Sequence, residues 1–369
     1  MPSPEALDVL RLLKAHHNVL ISGPPGTGKS RLLNEVAELF KLSAVPAHVP
    51  NADVPIPPAG AVASPEVAAV LPSPDRPVRG VFKTAFHQGT KYREFVRGLV
   101  PTVSAENTAF RMANGTLYEA SLFASEPTQA ALVIVDEINR GPAVQVFGDT
   151  IVAIEADKRL GTDGSVTPTS QSIRIIGDQG DLTDWHMPFA VFLIAAMNQA
   201  DTSVEPLDVA FQRRWEPYRL KPNAAALATF LGIADPTAEP PAAAASAGDV
   251  YLAALRAWVK VNERITLGRG AEYQIGHGVF MAALPPDGAS PAEALTFVNS
   301  GWNRVRAHVE EVFFGHVRGV AAALNIGLEG HPLKLEDSFF AGDPVVNISE
   351  PDDVDLYKVL RSVGSGTVG

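Results

Sequence analysis

The sequence predicts an α/β protein: a three-layer αβα core built on a parallel sheet, followed by a smaller helical domain. Three observations carry that reading. Apolar runs at 18–22, 131–135 and 189–195 are uniformly hydrophobic, as in strands covered by helices on both faces. Helical stretches separate these runs, the alternation that yields parallel sheets. After about residue 220 strand signals stop, and helical periods take over at 250–262, 278–284 and 291–324.

Taken in order, Leu7, Leu10, Leu12 and Leu13 predict a short amphipathic helix before the first strand. That strand runs into Gly-Pro-Pro-Gly, a tight loop. Beyond it Leu32, Leu33, Val36, Leu39 and Phe40 recur at three- and four-residue steps, one face of a helix. Nine prolines between Ser43 and Gly80 remove backbone donors and break any period, so 44–79 reads as an irregular surface insertion, removable at little cost in stability. Order resumes at 81–86. Helices are expected around 92–99 and over 144–156. The Gly/Asp/Thr/Ser-rich stretch 160–185, alternating at 172–176, predicts an inserted hairpin. A second low-complexity link, 239–248, lies in the helical part. The expected division is a core at 1–220, a helical lid at 221–330 and a C-terminal extension at 331–369.

Composition narrows the function. Of 369 residues 46% are hydrophobic and 19% charged, which excludes global disorder. Thirty Lys and Arg against forty-one Asp and Glu give a net charge of −11, a field that repels phosphate backbones. Any contact with DNA then needs a local patch or a partner; Lys83, Lys91, Arg93 and Arg97 are the candidates for such a patch, but scattered cations on an acidic protein read as solvated. Cysteine is absent, so thiolate zinc sites and cysteine nucleophiles drop out, and a reducing, cytoplasmic setting is expected. The longest apolar run, 189–197, is too short to span a bilayer, and no membrane association is expected.

The chemistry concentrates in a few segments. Gly23-Pro24-Pro25-Gly26-Thr27-Gly28-Lys29-Ser30 fits G-x-x-x-x-G-K-[ST] between a strand and a helix. Inward backbone N–H groups and the helix N-terminus make an anion cradle. Lys29 is placed to reach the β- and γ-phosphates, and Ser30 to put its hydroxyl on Mg²⁺. Asp136 and Glu137 follow directly on the strand at 131–135, at the end where parallel sheets hold ligands. Asp136 suits the Mg²⁺ shell, and Glu137 suits a base for attacking water. Asn198 ends the next strand and reads as a polar sensor of the γ-phosphate or the water. Arg213 and Arg214 close a helix expected over 205–212, and one of them reads as reaching a neighbouring subunit's γ-phosphate. His16, His17 and Asn18 either line a base pocket or are simple helix-end polarity before a buried strand. No His/Asp metal spacing and no Gly-x-Ser-x-Gly elbow is present.

These residues resemble a AAA+ ATPase, and more narrowly the McrB type of modification-dependent restriction motor, over most of residues 15–285. The segments in the family's order are the phosphate loop, Asp136-Glu137-Ile138-Asn139-Arg140, Phe147-Gly148 leading to Glu155-Ala156-Asp157-Lys158-Arg159, Met197-Asn198-Gln199-Ala200-Asp201 and Ala210-Phe211-Gln212-Arg213-Arg214-Trp215. The resemblance implies a ring, a hexamer, with nucleotide sites between subunits and Arg213 or Arg214 acting in trans. It implies ATP, or GTP as in the McrB type, with Mg²⁺, and a McrC-like nuclease partner that stimulates hydrolysis. Thr202 stands where the family commonly has Arg. The strand entering the phosphate loop begins by residue 18, which suggests a bare motor without the family's DNA-reading domain. Gly276-His277 occupies the place of a sensor arginine, for which Arg269 is one candidate substitute. A MoxR-like remodeller of protein complexes is the alternative, and a nucleotide-gated scaffold a third reading that Glu137 argues against.

Overall fold

The computed structural model describes residues 1–44, 62–103, 108–200, 207–341 and 343–366. One sheet holds five strands in the spatial order Val78–Ala85, Gln129–Asp136, Val191–Asn198, Asn18–Gly23, Glu216–Arg219. The first strand runs parallel to the second, the second to the third and the fourth to the fifth. Every residue of Asn18–Gly23 is buried, as are Ala130 to Val135 and Val191 to Met197. That double-sided burial is why these segments read as uninterrupted apolar runs.

The chain divides into two compact units, Met1–Ser22 with Lys29–Arg219, and Gly23–Gly28 with Leu220–Gly369. In the first, helix Pro4–His16 is capped by the Ser3 hydroxyl, which accepts from the Ala6 N–H. Helix Lys29–Phe40 buries Leu32, Leu33, Val36, Ala37 and Phe40. The second unit is a helical bundle of Ala247–Gly268, Pro291–Val312, Val317–Ala323 and Leu356–Gly364 around Trp258, Trp302, Val305 and Leu360. Ser246 with Asp249, and Ser290 with Glu293, form capping boxes that start its two long helices. No described helix is long and apolar enough to cross a membrane.

Several elements differ from expectation. Residues 44–79 were expected to be irregular surface; 45–61 lie outside the described residues, but the rest packs. Helix Pro65–Val70 buries Val67 and Val70, and Leu71 is fully buried. Arg76, also buried, donates to the carbonyls of Ala124, Glu126, Gln129 and Thr162. The helix expected at 92–99 ends at Phe95, and Arg97–Val103 pairs antiparallel with Thr108–Asn114. The helix expected over 144–156 breaks at Gly148, whose φ of +50° no helix tolerates, leaving Ala143–Phe147 and Thr150–Ala153. Within 160–185 the strands Ile173–Ile176 and Leu182–Trp185 pair antiparallel. The stretch read as a C-terminal extension shares the bundle core through Tyr357, Val359, Leu360 and Val363, after a hairpin of Lys334–Phe340 and Asp343–Ser349.

Candidate active site

Parallel pairing sends Asp136 and Asn198 to the same C-terminal edge of the sheet, where Val135 and Ala195 stand in register. The helix that begins at Lys29 brings its first turn to the same place. The Ser30 hydroxyl lies 3.4 Å from Asp136 Oδ2. The Lys29 ammonium is half-buried, and burial pushes it down to about 8 from its ordinary 10.5, against the raising pull of Glu137 and Asp136. The four groups expected to handle phosphate, metal and water thus fall within one electrostatic neighbourhood. Among the described residues no group of three or more His, Asp or Glu stands ready for a metal ion. A cation here would rest on Ser30, Asp136, waters and phosphate oxygens, the sparse protein ligation usual for Mg²⁺.

Glu137 sits in the left-handed region, φ 51° and ψ 44°, a conformation a non-glycine residue keeps only when its surroundings hold it. Three neighbours do so. Asn198 Nδ2 donates to Glu137 Oε1 and Oε2 at 3.0 and 3.2 Å. Arg140 Nε lies 3.2 Å from Oε2. Asn139 Nδ2 donates to the Asn198 carbonyl at 2.9 Å, which fixes the strand end that carries Asn198. Neither Asn139 nor Arg140 was singled out from sequence, although both sit inside the quoted acidic box.

The loop Gly23–Gly28 belongs by its contacts to the second unit. Gly26 and Gly28 have φ of 75° and 88°, the left-handed values that let a loop curl. The Thr27 hydroxyl, on a buried side chain, donates to the Pro24 carbonyl at 2.8 Å. The Pro25 and Gly26 carbonyls accept from the N–H groups of Gly276 and Gly278, each at 2.9 Å. A Cβ on Gly276 would lie 2.0 Å from the Gly26 carbonyl carbon, so only glycine fits there. The next residue, His277, accepts the Asn223 N–H on Nδ1 at 3.2 Å. This turn is clamped in turn to helix Ala247–Gly268: Asn262 accepts the Ile275 N–H at 2.6 Å, and Trp258 and Asn262 donate to the Ile275 carbonyl at 3.0 Å. Arg269 donates to the Val312 carbonyl beside Tyr273 and Phe313. Its described contacts are all within the bundle, and none is with the loop.

Arg213 and Arg214 stand at the other end of the sheet, just before Glu216, which pairs in register with Val19. Their separation from Asp136 and Asn198 is the length of a strand, roughly 20 Å at ~3.3 Å per residue. The two arginines differ. Arg213 is exposed. Arg214 is largely buried, with Nε 2.8 Å from Glu155 Oε1 and a further bond from Nη1 to the Ala210 carbonyl. The helix before them covers Val209–Gln212, and residues 201–206, including Thr202, lie outside the described residues.

The same polarity locates His16, His17 and Asn18, the candidates for a base pocket. They begin the strand whose far end meets the loop. His17 is buried between Phe189 and Phe192, and burial above all, with Arg159 and His16 adding, pushes its imidazole down to about 3. His16 lies 3.7 Å from Glu216. Asn18 is spent on internal hydrogen bonds.

Known proteins resemble this chain in part. Residues 75–215 match the AAA domain (dynein-related subfamily). The chain is 26% identical over 297 residues to the type IV methyl-directed restriction enzyme EcoKMcrB subunit of Escherichia coli (strain K12), covering 79% of this chain and 53% of that protein. It is 36% identical over 85 residues to the type II restriction enzyme BsuMI component YdiS of Bacillus subtilis (strain 168), covering 23% of this chain and 25% of that protein. The solved structure of C. elegans PCH-2 aligns with a TM-score of 0.33 and 12% identity, over 81% of this chain and 67% of that one. The chain therefore spans about half the length of the first of these curated relatives and a quarter of the second. Sheet order, motif order and sequence matches together make the chain similar to McrB-like AAA+ proteins, with the dynein-related AAA domain matched over residues 75–215.

Proposed function

We propose that the chain is the nucleoside triphosphatase of a restriction motor, a homo-oligomeric and hexameric ring that hydrolyses ATP, or GTP, between subunits. In this reading it drives DNA translocation or activates a McrC-like nuclease, and it meets DNA through that partner. The single observation that carries the proposal is the convergence of Lys29, Ser30, Asp136, Glu137 and Asn198 at one sheet edge.

The chemistry follows from the residues. Gly23 to Gly28 cradle the triphosphate through backbone N–H groups, and Lys29 binds its outer phosphates. Ser30 and Asp136 would hold Mg²⁺, which supplies charge neutralisation at the phosphate oxygens. Glu137 takes a proton from water as the water oxygen bonds to the γ-phosphorus and the bond to the bridging oxygen breaks. Asn198 holds the Glu137 carboxylate in position for that transfer. Arg213, exposed and a strand's length from its own site, acts on the neighbour's γ-phosphate. Arg214, already paired with Glu155, anchors the segment.

Steady-state hydrolysis of ATP against GTP, with and without the product of the adjacent gene, tests base, turnover and partner together. Stimulation by an adjacent nuclease supports the restriction reading. Turnover of neither nucleotide under any condition defeats the proposal.

A further inference from the structure

A buried polar relay joins the start of strand Asn18–Gly23 to the arginine pair. Asn18 is 1% exposed and lies among acceptors and one donor. Arg159, equally buried, donates from Nη2 to Asn18 Oδ1 at 2.7 Å, and also to the carbonyls of Ile154 and Val191. A guanidinium only donates, so the Asn18 oxygen must face it, and that fixes the amide. The Asn18 NH₂ then points at two carbonyls, those of Ile154 at 2.8 Å and Arg214 at 3.0 Å. Glu155, next to Ile154 in the chain, takes the Arg214 side chain. Arg214 is therefore held twice, by its backbone carbonyl and by its guanidinium, while the adjacent Arg213 projects from the surface.

We infer that Asn18, oriented by Arg159 and assisted by Glu155, is a positioning residue for the trans-acting Arg213: it fixes the backbone from which that arginine reaches the neighbouring subunit. Two features favour this over a purely structural role. The relay ends on the arginine segment itself, and Glu155 engages that segment's side chain at a partly exposed site. A structural amide buried beneath the sheet needs neither connection. The inference rests on the ring reading above, and its test separates the two.

The test uses Asn18→Asp in the full-length chain. A carboxylate is nearly isosteric, pairs well with Arg159 and keeps the fold, but it offers the Arg214 carbonyl no donor. Nucleotide binding is expected to stay near wild type, while turnover falls about ten-fold or more, the scale on which small misplacements of a catalytic group are felt. Mixing this variant with Glu137→Gln subunits should restore turnover from two weak proteins, because the Asn18→Asp subunit keeps an intact site and the Glu137→Gln subunit an intact arginine. Arg213→Ala mixed with Glu137→Gln is the control. Glu155→Gln, at the partly exposed end of the relay, guards against misfolding and should show a milder loss, also rescued by mixing. Wild-type turnover in both Asn18→Asp and Glu155→Gln overturns the inference. So does a loss that mixing fails to rescue while the Arg213→Ala control is rescued, since the defect then lies in the variant's own site. Failure of the control overturns the ring reading and the inference with it.

Discussion

Asn198 donates its side-chain amide to both carboxylate oxygens of Glu137, at 3.0 and 3.2 Å. The contact sets the carboxylate's direction without adding charge, and it makes the role of Glu137 separable from nucleotide binding. Glu137→Gln should bind nucleotide and assemble normally, yet turn over at least 10²-fold more slowly, the usual loss for a missing general base. Unchanged turnover in a coupled phosphate assay would remove Glu137 from the mechanism.

The arginine pair should split under alanine substitution. Arg213→Ala removes an exposed side chain, so its melting temperature should stay close to wild type while turnover collapses. Arg214→Ala breaks the ion pair with Glu155 and should lower stability by about 1–3 kcal/mol as well as activity. Thermal melts run beside hydrolysis assays read both effects. Equal destabilisation by the two substitutions would contradict the assigned division of labour.

Lys29 gives the site a pH signature. Its ammonium, pushed down to about 8 by burial, is partly deprotonated near that pH in the nucleotide-free protein. A polyanion arriving beside it favours the charged form. Binding near pH 8 should therefore take up protons, and affinity should fall as pH rises above 8. Calorimetry in buffers of different ionisation enthalpy measures the uptake. Lys29→Met should abolish the uptake and weaken binding; uptake that persists in that variant would assign it elsewhere.

His17 predicts an acid limb in stability. Its folded pKa of about 3 lies below the ordinary 6.5, so between these values the unfolded chain binds a proton that the folded chain does not. Stability is then fully present above pH 6.5 and is lost as pH falls toward 3. His17→Phe keeps the stacking against Phe192 and should flatten that limb in urea titrations at successive pH values. An unaltered acid slope would place its source in other residues.

The segment before strand Val78–Ala85 offers a packing test. Leu71 is fully buried, so Leu71→Ala should cost about 2–5 kcal/mol. A change within 0.5 kcal/mol in chemical denaturation would return this segment to the status of surface insertion.

The sequence was most legible where one physical signal dominated. Helix Lys29–Phe40 follows the glycine loop as expected because its apolar period is regular and its start is set by that loop. The three central strands are doubly buried and could hardly read otherwise. Strand Glu216–Arg219 was missed because it is four residues long with only half-buried alternation. The hairpin at 97–114 hid behind Phe95 and Leu99, which mimic a helical step, whereas the buried Arg97 is tied to Tyr118 and Asp178. Packing of Leu71 and Arg76 was invisible because proline density speaks of backbone, not of what side chains bury. In the candidate site, the grouping of Ser30 with Asp136 and of Glu137 with Asn198 follows the order of the motifs. The hold of Arg140 and Asn139, and the polarity that separates Asn18 from the phosphate end, needed three-dimensional register.

The carbonyls of Pro25 and Gly26 are already taken by Gly276 and Gly278, and that turn is pinned to helix Ala247–Gly268 through Trp258 and Asn262. The peptide proposed to cradle the anion is thus tied through that turn to a helix of 22 residues. In the proposed reading, a change in the loop's hold on phosphate would pull on that helix, so the loop and the bundle would respond to nucleotide together.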